Sequence, residues 1–129
     1  MDGPNGLAFS PDERFLYVDN WSAQRKVILR FPMNHDGSVG KSQLFVDMSA
    51  ELPGEDALDG MKVDIQGKLY VTAPDGVRIY SPEGRHLGTI VAPRVVHKLA
   101  WGGPDGHTLF LCASDRLYRI DLLVPGMAP

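Results

Sequence analysis

The chain has 129 residues, 43% of them hydrophobic and 22% charged, with 13 Lys and Arg set against 16 Asp and Glu for a formal net charge of −3. That composition belongs to one ordinary globular domain with a real core and excludes a disordered or fibrous chain. The basic residues are scattered singly, so nucleic acid is not an expected partner, and no apolar run approaches the roughly 20 residues a membrane-crossing helix needs.

At the N-terminus, MDGPNG lacks the basic and apolar regions of a signal peptide, so the expectation is no export signal in this chain and a cytoplasmic location by default. Fourteen Gly and ten Pro, spread along the chain, cut it into segments too short for helices and rich in β-branched and aromatic residues. The predicted strands, in order, are LAFS (7–10), FLYVDN (15–20), KVILRFP (26–32), SQLFVDM (42–48), MKVDI (61–65), KLYVTA (68–73), GVRIYS (76–81), HLGTIVA (86–92), KLAWG (98–102), TLFLCA (108–113) and RLYRIDL (116–122). The connectors SPDER, NHDGS, IQGK, SPEGR and GGPDGH carry turn chemistry. Only AELPGEDALDG (50–60) is long enough for a functional loop, with room for a short helical turn. The fold class is all-β.

The pair Asn5-Gly6 is oddly placed. Asn-Gly is a strong hairpin signal, but the four residues before it are too few for a first strand. Asn5 is then either turn punctuation or a polar group held at the head of a strand. Internal repetition bears on this choice. NGLAFSPDERFLYVDN, DGMKVDIQGKLYVTA and HKLAWGGPDGHTLFLCA superpose as a polar residue, a small residue or Lys, an apolar strand, a Gly/Pro/Asp turn and an aromatic-rich strand. Asn5, Asp59 and His97 share one phase, 54 and 38 residues apart, which brackets the roughly 40–50 residues of a four-stranded propeller blade. The predicted blades are approximately 5–50, 59–95 and 97–123, the last with three strands. First strands of blades line the central channel, so Asn5, Asp59 and His97 are expected to converge at its mouth.

The stretches PNGLAFSPDERFLYV, LDGMKVDIQGKLYVTAPDGV, SPEGRHLGTIVAP, LAWGGPDGHTLFL and LYRIDLLVPG, in that order, resemble the C-terminal half of the SMP-30/gluconolactonase/regucalcin family. The resemblance covers nearly the whole chain. It implies a six-bladed β-propeller, of which about three blades lie here, with one divalent metal, Ca²⁺ or Zn²⁺, in the axial channel and hydrolysis of sugar lactones as the activity. It also implies metal ligation by the Asn of PNG, matching Asn5, and by the Asp of DGM, matching Asp59, which doubles as general base. The family's Glu ligand and the substrate-contacting Asn and Arg of its early blades have no counterpart in this chain. Lys98 stands where the family usually has Asn, placing a cation at the pocket.

The residue chemistry is consistent with that expectation. A hard divalent cation takes oxygen ligands at about 2.0–2.6 Å, and an amide with a carboxylate supplies two of them. Such an ion polarises a lactone carbonyl and acidifies water, and Asp59 is placed to take the proton. Asn5-Gly6 and Asp59-Gly60 also read as turn pairs, and His97 as a hydrogen-bonded structural residue. Among the other polar residues, Asp12, Asp64, Asp75 and Asp105 are assigned to Asx-turns. Asp19 is read as a solvated strand end that could otherwise back up the metal, and Trp21 and Trp101 as packing residues. Cys112, the lone cysteine, is expected as an inert core thiol. The alternative to a lactone hydrolase is a non-catalytic half propeller, a fragment or assembly module. Because three blades cannot close a ring, a homodimer or a pairing with an N-terminal half propeller is expected.

Overall fold

The computed structural model describes residues 1–128. Eleven strands form three antiparallel sheets, and the described residues contain no helix. The first sheet holds β1 (Pro4–Phe9), β2 (Phe15–Asn20), β3 (Val27–Pro32) and β4 (Gln43–Asp47), and the second holds β5 (Met61–Val63), β6 (Leu69–Ala73), β7 (Gly76–Tyr80) and β8 (His86–Ile90). The third is made of β9 (Val96–Gly102), β10 (Thr108–Ala113) and β11 (Arg116–Asp121). Within each sheet the strands pair in chain order, which is what short Gly- and Asp-bearing connectors allow. The first strands β1, β5 and β9 lie side by side, as around the axis of a propeller.

Core packing follows the period of two. In β6 every residue is buried: Leu69, Val71 and Ala73 join Tyr17, Ile28 and Val46 of the first sheet, while Tyr70 joins Leu99, Leu109 and Leu111 of the third. The middle sheet is therefore covered on both faces. The first is covered on one. Its other face carries a cross-strand row, Leu7, Val18, Leu29 and Leu44, in direct register, with Leu7 58% and Leu44 60% exposed. After β11, Pro125–Met127 cross back to the middle sheet. The Ile65 N–H donates to the Pro125 carbonyl, the Gly126 N–H to the Gly106 carbonyl, and Gly126 lies flat against the Trp101 ring.

The long 49–60 connector contains no helix, only a single turn closed by the Leu52 N–H on the Met48 carbonyl. It is tied down instead by packing and charge. Met48, Leu52 and Leu58 enter the first core cluster, and the fully buried Lys26 ammonium donates to the Ala23 and Gly54 carbonyls.

Three expectations are corrected. Cys112 is exposed, because Leu109, Leu111 and Ala113 take the inward pleat of β10 and leave Cys112 on the outer face beside Lys98 and Leu117. Trp21 is 64% exposed, since the chain leaves the sheet after Asn20. Asp75 forms no Asx-turn; its carboxylate is drawn to the buried Arg78 guanidinium, accepting from Nε and Nη2. Trp101 does pack, edge-on to Tyr70, and Asp12, Asp64 and Asp105 do accept from the N–H two residues on.

Candidate functional site

Neither PNG nor DGM is a turn. Asn5 lies within β1, inside the irregular pairing between Pro4 and Leu7, and Asp59 lies two residues before β5. Gly6 and Gly60 do not take positive φ; they are there for space. A Cβ on Gly6 would stand 2.7 Å from the Asp59 carbonyl oxygen and run into the Asp19 carboxylate, and one on Gly60 would stand 2.7 Å from the His97 carbonyl oxygen. Each glycine thus lets the polar residue heading the next blade come close. This is how residues 54 positions apart in the chain meet: Asn5 Nδ2 donates to the Asp59 carbonyl at 3.1 Å and to Asp59 Oδ1 at 3.0 Å.

The third sheet contributes Lys98 and His97. The Lys98 ammonium is seated on Asp59 Oδ1, the same oxygen that accepts from Asn5. His97 Nδ1 lies 3.6 Å from Asp59 Oδ2, an ion-pair distance rather than a hydrogen bond. The Asp59 side chain remains 24% exposed in a shallow pocket lined also by Gly6, Gly60, Lys62 and Leu99. Burial pushes the Asp59 carboxyl up, but the bonds from Lys98 and Asn5 and the charges of Lys98 and His97 outweigh it and hold the group below the usual carboxylate range. Asp59 is thus an ionised carboxylate open to solvent.

Beneath this mouth is Asp19, which is fully buried and not a solvated strand end. It shares the inward pleat of β2 with Tyr17 and so points between the first two sheets. Its Oδ1 accepts from the Gly6 N–H at 2.8 Å, and its buried Oδ2 has no hydrogen-bond partner. Burial, reinforced by the Asp59 charge and opposed by the Gly6 bond and Lys98, raises its pKa to about 7. Thr72, unlike Asp19, is a residue that sequence reasoning passed over. Its hydroxyl accepts from the Gly60 N–H and donates to the His97 carbonyl, pinning the heads of β5 and β9 together. The only sign of it in the sequence is an aliphatic hydroxyl in the largely apolar LYVTA.

An amide and an ionised carboxylate side by side suit a hard divalent cation, and the ammonium on Asp59 shows that the pocket accepts positive charge there. Among the described residues no three His, Cys, Asp or Glu side chains gather as a metal cluster, so Asn5 and Asp59 amount to part of a ligand set.

Comparison with known proteins agrees with this architecture. The chain is 35% identical over 124 residues to a gluconolactonase of Zymomonas mobilis subsp. mobilis, covering 93% of this chain and 35% of that protein. Its structure resembles a gluconolactonase of Xanthomonas campestris, with a TM-score of 0.78 and 29% identity over 98% of this chain and 39% of the other. It also resembles a regucalcin of Agrobacterium tumefaciens described as calcium-binding, with a TM-score of 0.73 and 25% identity over 84% of this chain and 37% of the other. The chain therefore spans between a third and two-fifths of these relatives. Residues 1–115 match the model of the SMP-30/Gluconolactonase/LRE-like region, and the chain, a partial β-propeller, belongs to that family.

Proposed function

We propose that this chain carries part of a metal-dependent site for hydrolysing sugar lactones, with Asp59 as the base and Asn5 and Asp59 as ligands of a divalent cation, Ca²⁺ or Zn²⁺. The observation that carries the reading is the convergence of Asn5 and Asp59, from two blades, on an open and ionised carboxylate. The gluconolactonase relatives point to the substrate class, and the calcium-binding regucalcin to the metal. When bound, the cation polarises the lactone carbonyl and lowers the pKa of its water. Asp59 accepts the proton of the water that adds to the carbonyl carbon and returns it to the ring oxygen as the ring C–O bond breaks, leaving a hydroxyl and a carboxylic acid that ionises in water. Asn5 does not titrate in the useful range, so its part is to orient Asp59 and offer its amide oxygen.

On this reading further blades complete the site. Two copies of the chain supply six, and the exposed row through Leu7 and Leu44 is the face that a second copy would cover; a separate N-terminal half is the alternative. The reading is tested by gluconolactone hydrolysis in a pH-stat, by melting with and without metal, and by sedimentation. The isolated monomer is expected to be weak or inactive. Asp59→Asn should abolish whatever turnover the assembled protein shows, and Asn5→Asp should retain some with altered metal preference. Ca²⁺ or Zn²⁺ should raise the melting temperature, by about 2.7 kcal/mol of stability at a hundredfold excess over the dissociation constant. Hydrolysis that survives both Asp59→Asn and exhaustive chelation refutes the mechanism. A stable folded monomer at micromolar concentration refutes the assembly.

A further inference from the structure

We propose that Lys98 is a tethered counterion of this site: its ammonium holds the cation seat on Asp59, and a divalent ion binds there only by displacing it. Lys98 then sets the affinity of the pocket for metal. The identity of the seat comes from the preceding reading; the reaction performed there is not needed.

The repeat pattern and the contacts support this independently. In the first two repeats the residue after the polar head is glycine, Gly6 or Gly60, kept small by the neighbouring blade. In the third repeat the same position is Lys98, on the outer face of the last sheet, where no neighbour crowds it and its side chain is 59% exposed. An exposed lysine can extend into water, yet this one folds back past Gly60 to reach a carboxylate 39 residues earlier. Among the described residues its ammonium donates to Asp59 Oδ1 and to no other acceptor. That oxygen already takes the Asn5 amide, so it is the most heavily used acceptor in the pocket. An ammonium and a divalent ion need the same lone pairs and repel each other, so the two states exclude one another. The lysine stem is long and flexible enough to swing away without disturbing the strand, which makes the exchange a side-chain motion.

The test is isothermal titration of Ca²⁺ and of Zn²⁺ into the metal-free chain at constant pH and ionic strength, comparing wild type with Lys98→Met and Lys98→Arg, with folding checked by circular dichroism. Lys98→Met should bind at least about tenfold more tightly than wild type, because an intrinsic competitor of like charge is gone, and Lys98→Arg should stay within about threefold of wild type. Asp59→Asn should abolish the gain. If Lys98→Met fails to fold, isotope-labelled lysine NMR of the wild type decides. The Lys98 side-chain resonance should shift on saturation with Ca²⁺ or Zn²⁺ while those of the remaining lysines away from the pocket do not. Equal or weaker binding by Lys98→Met, absence of binding in every variant, or an unmoved Lys98 resonance at saturating metal overturns the proposal. Tight binding by Lys98→Met without lactone hydrolysis sinks the reaction alone and leaves the counterion role standing.

Discussion

Two charged clusters draw on the two ends of the 49–60 connector, one on Glu51 and the other on Asp59, and they are built in opposite ways. Around Arg78 each guanidinium nitrogen is used: Nε and Nη2 on Asp75, Nη1 on Glu51 at 2.6 Å and on the Tyr80 hydroxyl, with the arginine side chain only 7% exposed. At the channel mouth the accounts are uneven. Asp59 Oδ1 accepts two donors, Asp19 Oδ2 accepts none, and Lys98 is held by one bond although most of it is in solvent. A saturated network rigidifies the segment it ties, here the connector that delivers Asp59. An unsaturated one, kept open and charged, is what a binding site needs. The first cluster explains why the second can exist at the end of a long loop.

The contrast can be broken from either side. The largest effect is expected at Asp75→Ala, which leaves a buried guanidinium with Glu51 as its only carboxylate; the loss should be about 3 kcal/mol, read from urea unfolding, and a loss near zero would show the cluster to be surface decoration. Next is Gly6→Ala, whose methyl group has no space between Asp19 and the Asp59 carbonyl. It should cost about 2 kcal/mol and separate Asn5 from Asp59, whereas Gly88→Ala, where a Cβ meets nothing within 4 Å, serves as a neutral control for melting.

Asp19 sharpens the same comparison through pH. With its pKa raised to about 7 from 3.8, the metal-free native state keeps a proton that the unfolded chain releases between those values. The Asp19 contribution to stability is therefore full below pH 4 and is lost as pH rises towards 7, by at most about 1.4 kcal/mol per pH unit. Asp19→Asn should flatten that part of the profile in chemical denaturation; an unchanged slope would show that Asp19 titrates normally. The smallest effect belongs to Asn5→Ala, about 1 kcal/mol, accompanied by a rise in the Asp59 pKa seen by carboxyl-carbon NMR, because one of the bonds stabilising its anion is removed.

Much of this was legible in the linear chain. All eleven strands follow from Gly, Pro and Asp punctuation around β-branched and aromatic runs, because turn chemistry is local and each strand pairs with the next. The common phase of Asn5, Asp59 and His97 was visible as a repeat, since blades reuse one pattern. What escaped depended on facing. Asp19 and Cys112 each occupy a strand whose neighbours can be read either way, and one step of the pleat reverses inside and outside. Thr72 owes its role to a carbonyl of the next blade and Lys26 to one in the 49–60 connector, at separations of 25 and 28 residues, and nothing beside them in sequence marks those partners.

The division has one physical cause. Sequence alone determined the class of the fold, the strand order and the residues heading each blade, since all three depend on interactions between near neighbours. Only the tertiary structure decided that Gly6 and Gly60 are spacers and not turns, that the Asn5 amide lies on Asp59, and that Lys98 closes over the same carboxylate. Those contacts arise where separate sheets pack around one axis, and the close approach of their backbones, not any local preference, selects which side chains meet.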